Sequence, residues 1–311
     1  MLSFGFFLSC APVGPSTAPP MAAPPASPAE PPQIQSSAEA AVDKKAERIW
    51  RLAELQQPES VLIDFKTDRL WVSNMNGAPT EKNGKGQILE LSLDGKLSSA
   101  DFTSGVSLNA PKGMCILDDA LYIADIDVVH VVSVHTGQHR YDVPIEGAAF
   151  LNDMACSYNE AYVSDSSNGR IHRIYKEGKA ELMVDLSPRK PNGLAFQGIS
   201  LFVADFASAT VLRLKPTGDI EEEWTVSAGG LDGIAVLRDR SIVVSSWEGQ
   251  CIDRISPEGV LSRLASDLVS PADFAVDQRY NRLVLPQLTE NQIQLIPLAW
   301  PSESESQTPP Y

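Results

Sequence analysis

Four oxygen-bearing residues recur at matching points of the chain: Glu59 in PES, Asn152 in LND, Asn192 in PNG and Asp232 in LDG. Together they offer two carboxylates and two carboxamide oxygens, with no nitrogen or sulfur donor among them. Such a set suits a hard cation, Ca2+, Mg2+ or Mn2+, rather than zinc held by thiolate or imidazole. Fewer than six protein ligands leave places for water or substrate, which is the arrangement needed to polarise a carbonyl. Taken singly, Asn192-Gly193 and Asp232-Gly233 are also ordinary turn dipeptides, since Asn and Asp bond their own backbone and Gly accepts positive φ. What separates these readings is whether the chain brings the four residues to one place.

The spacing says that it does. PKGMCI from Pro111, LNDMAC from Leu151, PNGLAF from Pro191, LDGIAV from Leu231 and PADFAV from Pro271 begin 40 residues apart. Each unit contains four short runs rich in Val, Ile, Leu and Phe and punctuated by Gly, Asn and Asp, which read as strands. Four strands per 40 residues is the unit of a β-propeller blade. PESVLIDF from Pro58 opens a first unit 53 residues before Pro111, most of its surplus lying in MNGAPTEKNGKG. The sixth unit lacks a fourth strand. ERIWRLAEL, residues 47 to 55, parallels IEEEWTV of the fourth unit and is expected to complete it, closing the ring. The predicted fold is therefore all-β, a six-bladed β-propeller over residues 44–298.

In such a ring the residue that opens each inner strand faces one channel mouth. In order these are Glu59, Lys112, Asn152, Asn192, Asp232 and Ala272. The second strands end at the same rim with Asn74, Asp125, Asp165, Asp205, Ser246 followed by Trp247, and Gln287. Asn74, Asp125 and Trp247 are the candidates to meet a substrate. Strand-end capping is the competing role for Asp125, Asp165 and Asp205. Trp247 and Phe206 either stack on a sugar ring or roof the channel. The inserted loop from Met75 to Gly86 falls on this rim, where a lid would sit. His130, His135, His139 and His172 have no metal-ligand spacing and read as surface residues. No G-x-S-x-G elbow, P-loop, Rossmann fingerprint or C-x-x-C occurs.

The formal charge is -15, with Lys and Arg scattered, which argues against nucleic acid as a partner. MLSFGFFLSC, residues 1–10, reads as a lipoprotein-like signal segment ending at Cys10, followed by a Pro/Ala/Ser-rich tether over 11–43. A polar tail occupies 299–311. The chain is expected to be a monomer exported to a bacterial periplasm or outer membrane, touching membrane only through a lipid on Cys10. Cys115, Cys156 and Cys251 lie in apolar runs, and buried free thiols are the expectation; a bridge between Cys115 and Cys156 is an open alternative that the sequence does not imply.

With these motifs in place, the chain resembles the gluconolactonase, regucalcin (senescence marker protein) and luciferin-regenerating enzyme group of calcium-dependent six-bladed propellers. The likeness covers residues 58 to 298, and SNMNG, LNAPKGM, SLFVAD and SSWEG resemble a bacterial exported branch of it. It implies a Ca2+ held by Glu59, Asn192 and Asp232, with Asn152 and Asp153 meeting the metal through water or substrate. The family carries an Arg two residues before the N-D Asn, where this chain has Phe150; Lys112 is the candidate replacement for that charge. The implied function is metal-dependent hydrolysis of a lactone or related ester, a small-molecule substrate, with Asp232 or Asp153 as base and Lys112 stabilising the oxyanion. The alternative is a tethered propeller of the NHL-repeat kind that binds a peptide, glycan or protein without chemistry.

Overall fold

The computed structural model describes residues 48–298, which form six four-stranded antiparallel sheets. The signal segment 1–10 with Cys10, the 11–43 tether and the 299–311 tail lie outside the described residues. Within each blade the burial follows the composition. In the fourth blade the second strand Ser200–Asp205 is almost wholly buried, whereas the outer strand Ile220–Thr225, IEEEWT, is mostly exposed. Charged residues on an outer strand also discourage pairing with another chain.

The ring closes as the N-terminal run predicts. Arg48–Trp50 pairs antiparallel with Gln292–Pro297 and so becomes the outer strand of the sixth blade. Trp50 then packs over Gly95 in the first blade; a Cβ there would come within 2.4 Å of the indole, and Gly95 has φ +83°. Glycine is required at that position for both reasons.

Apolar clusters fill the six gaps between blades. Their membership follows the pleat, because successive side chains of a strand point to opposite faces. Counting from the residue after the Pro or Leu that opens each unit, the third and fifth residues face the preceding blade, as Leu194 and Phe196 do. The fourth faces the following one, as Ala195 does. Cys115 is a fourth residue and Cys156 a fifth, so the two meet in the gap between the second and third blades.

There they form a disulfide, with Cα atoms 5.6 Å apart. This corrects the expectation of free thiols for Cys115 and Cys156; Cys251 is free and buried. The bridge closes a sequence separation of 41 residues, for which chain-entropy arguments give about 4 kcal/mol. Replacing both cysteines by Ser is therefore expected to lower stability by about 2–4 kcal/mol in urea unfolding. An unchanged midpoint and slope would show that the bridge carries no stability.

Candidate functional site

Each oxygen-bearing residue is turned toward the axis by the same local device. The first-to-second-strand register slips between Pro58 and Ser60, Leu151 and Met154, Pro191 and Leu194, and Leu231 and Ile234. A bulge of this kind re-aims one side chain and frees a backbone N–H. Serines one residue before the second-strand ends take up that N–H in three blades. Ser73 Oγ accepts from Ser60 N at 3.0 Å, Ser164 Oγ from Asp153 N at 2.9 Å, and Ser245 Oγ from Gly233 N at 2.8 Å. Ser164 also donates to the carbonyl of Asn192, tying one blade's bulge to the next at 2.8 Å. These serines were not picked out from the sequence, although a serine directly after Val in VSN, VSD and VSS is a readable signal.

The bulges bring Glu59, Asn152, Asn192 and Asp232 to the floor of a cavity of about 530 Å³. All four are buried. Glu59 Oε2, Asn152 Oδ1, Asn192 Oδ1 and Asp232 Oδ1 have no hydrogen-bond partner, and among the described residues they are the buried carboxylate and carboxamide oxygens of which this is true. Unpaired buried oxygens are costly, carboxylates most of all. Two carboxylates and two amide carbonyls fit a hard divalent cation. The remaining oxygen of Asp232 accepts from Trp247 Nε1 at 2.6 Å, which fixes the carboxylate's rotation.

Lys112 stands on the same floor, 1% exposed, donating to the Ala110 carbonyl at 2.9 Å and lying 4.5 Å from the centre of the Phe150 ring. Burial lowers its pKa, against the opposing charges of Glu59 and Asp125. Ala272, the sixth ring position, brings no donor. Phe150, Phe206 and Trp247 line the cavity wall, and Met75, Gly77, Pro79 and Thr80 of the inserted loop line it from the first blade.

Asp153 lies off the cavity wall. Its two oxygens accept from Met154 N and Leu194 N, each at 2.6 Å, so it braces the next inner strand. Asp273, which the sequence reading passed over in favour of Ala272, occupies the same offset three blades away and accepts from the Ser60 hydroxyl. The shared offset in LND and PAD was the signal for it. Burial raises the pKa of all four axial carboxyls. Glu59 and Asp153 stand well above the usual range, with neighbouring carboxylates adding to the effect. Asp232 is pushed up to about 8 by burial and by Asp273, and Asp273 to about 7 by burial.

The outer ring does other work. Asp125 accepts from Asn109 N at 2.7 Å and Ala110 N at 2.9 Å, Asp165 from Ala149 N and Phe150 N, and Asp205 from Lys190 N. Asn74 Nδ2 donates to the Glu54 carbonyl, and Ser246 Oγ to that of Gly229. Each clamps the incoming link of its own blade. Asn74 and Asp125 are fully buried and off the cavity wall, so of the three substrate-facing candidates Trp247 reaches the cavity. Two histidines also depart from expectation: His130 and His172 are buried, 7% and 8% exposed, because they point inward from third strands.

No protein-family model and no curated protein sequence matches the chain. Among solved structures it is similar to a streptogramin B lyase, at 13% identity, 81% coverage of this chain and 97% of that one, TM-score 0.60. A catalytically inactive virginiamycin B lyase from Staphylococcus aureus with quinupristin aligns at 12% identity, 81% and 99% coverage, TM-score 0.57. A chain of the nidogen/laminin complex aligns at 13% identity, 65% and 76% coverage, TM-score 0.56. Likeness at these identities speaks to the fold alone, and it agrees with the six four-stranded sheets of this chain, a six-bladed β-propeller.

The raised carboxyls set a pH dependence. Their folded pKa values exceed those of an unfolded chain, so protonation favours the folded state. That contribution is fully present below about pH 4 and is lost as pH rises through about 7 for Asp273 and about 8 for Asp232. In metal-free buffer the Tm is expected to fall between about pH 5 and pH 8, and to fall less in Asp232→Asn. A Tm that rises across this interval in the parent protein contradicts the assignment.

Proposed function

We propose that the protein is a Ca2+-dependent hydrolase of the gluconolactonase-like type, acting on a lactone or related ester at the channel mouth. The observation that carries this reading is the convergence of four partnerless oxygens, from Glu59, Asn152, Asn192 and Asp232, beneath an open cavity that also presents a buried lysine. Those four residues would hold the cation. A bound Ca2+ supplies Lewis-acid polarisation of a substrate carbonyl.

The chain's own groups supply the rest. Lys112, supported from behind by the Phe150 ring, faces developing negative charge on the carbonyl oxygen. Phe150 stands where the resembled family has an arginine, and the lysine brings the positive charge from the second blade instead. Asp232 is the base, because Asp153 spends both oxygens on backbone N–H groups and does not reach the cavity. It would take the water proton on Oδ2, which Trp247 orients, leaving the partnerless Oδ1 as the atom that would hold the cation. The loop from Met75 to Gly86 screens the site on one side and is positioned to exclude water. The Cys115–Cys156 bridge supports export to an oxidising compartment, the periplasm or the outer membrane, with Cys10 as the lipid anchor and the propeller acting as a monomer.

Calcium titration calorimetry paired with a lactone and ester substrate screen tests the proposal. Expected are one Ca2+ per chain, cation-dependent turnover, and loss of both in Asp232→Ala. Lys112→Met is expected to keep the cation and lose about 100- to 1,000-fold in kcat. Full turnover by Asp232→Ala overturns the catalytic assignment. A parent protein that binds none of Ca2+, Mg2+ or Mn2+ returns the four residues to turn chemistry, and the non-catalytic binding propeller becomes the account.

A further inference from the structure

On the second blade, outside the lining of the channel-mouth cavity, His130, His139 and Asp142 bring donor atoms within 4.8 Å of one another. His130 lies on the third strand, Val128–Ser133, directly opposite Asp142 on the outer strand, His139–Pro144. The register slips between Val131 and Val132, which pair with Tyr141 and His139, so Arg140 is the extra residue. That bulge sets His139 on the same face as Asp142, although the two are three apart in sequence. His130 Nδ1 and His139 Nε2 each lie 2.8 Å from Asp142 Oδ1.

Without a metal the arrangement suits a protonated His130, whose Nδ1–H donates to Asp142 while Nε2–H faces Asp125; the neutral ring that a metal requires can face only one carboxylate with an N–H. Behind His130, its Nε2 stands 3.5 Å from Asp125 Oδ2, beyond a good hydrogen bond and with no other partner. A neutral ring that donates from Nδ1 to Asp142 turns a bare nitrogen lone pair toward the buried Asp125 carboxylate. A neutral ring that donates from Nε2 to Asp125 turns its Nδ1 lone pair toward Asp142 instead. A cation between His130 Nδ1, His139 Nε2 and Asp142 satisfies the second arrangement: both lone pairs and the carboxylate converge on it, while Nε2–H faces Asp125. A carboxylate behind a ligating histidine is the common way such a ring is oriented. Asp125 is itself held rigidly by the N–H groups of Asn109, Ala110 and Ile126.

We propose that His130, His139 and Asp142 form a zinc site, with the fourth coordination position open to solvent. Two imidazoles and one carboxylate match zinc and not calcium, so the site is chemically distinct from the axial oxygens. Metal–donor distances of about 2.0–2.1 Å place tetrahedral donors about 3.3 Å apart, which asks the present 2.8 Å contacts to open by about half an ångström. His139 and Asp142 are 41% and 46% exposed at their side chains and are free to make that adjustment.

The test is zinc titration calorimetry on the full chain in saturating Ca2+, with Co2+ absorption as the geometric readout. Expected are one Zn2+ per chain and a tetrahedral Co2+ spectrum. Both should be lost in His139→Ala and in Asp142→Ala, which keep the metal-free Tm because these side chains are half-exposed. Both should be kept in Glu59→Gln combined with Asp232→Asn, so failure of the axial reading leaves this result standing. No zinc uptake, or uptake undiminished in His139→Ala and Asp142→Ala, overturns the proposal.

Discussion

The dominant constraint in this propeller is the burial of carboxylates around one axis. Glu59, Asp153, Asp232 and Asp273 all lie within the ring, and burial lifts each above its ordinary pKa. They are not equivalent. Asp153 and Asp273 are answered by N–H and hydroxyl donors from neighbouring inner strands, while Glu59 and Asp232 each keep one oxygen unanswered. Two oxygens of Asn152 and Asn192 share that condition. Each such oxygen costs on the order of 1–3 kcal/mol if left unpaired, more where it is charged, and a cation at the channel mouth would answer all four at once.

The surrounding architecture serves to hold that arrangement. Bulges aim the four side chains, and Ser73, Ser164 and Ser245 absorb the N–H groups that the bulges release. Asp125, Asp165 and Asp205 hold the links that enter each blade, and the links carry Lys112, Phe150 and Lys190 to the rim. The apolar gaps between blades and the Cys115–Cys156 bridge keep neighbouring inner strands in register. The polar floor is thus precise because the apolar layers beneath it are rigid.

Much of this was legible in the sequence because a 40-residue period maps a chain position onto a spatial one. Once PNG, LND and LDG are recognised as equivalent points, their convergence follows from closure, as does the role of the 47–55 run. What the period hides is anything that depends on an offset of one. Cys115 and Cys156 sit at different offsets and so face each other, whereas a reading that looks for equal spacing passes them by. Asp273 was overshadowed by Ala272 for the same reason. His130 gave no spacing signal because its partners are across a strand pair and behind a bulge, which the pairing register alone reveals.

The most direct measurement is a crystal structure of the protein grown with Ca2+, inspected at the channel mouth. The account predicts one ion bound by Glu59 Oε2, Asn152 Oδ1, Asn192 Oδ1 and Asp232 Oδ1, at about 2.3–2.6 Å, with its remaining positions open to the cavity. An axis filled by water at saturating calcium, with the two carboxyls paired to each other or to Lys112, would contradict it.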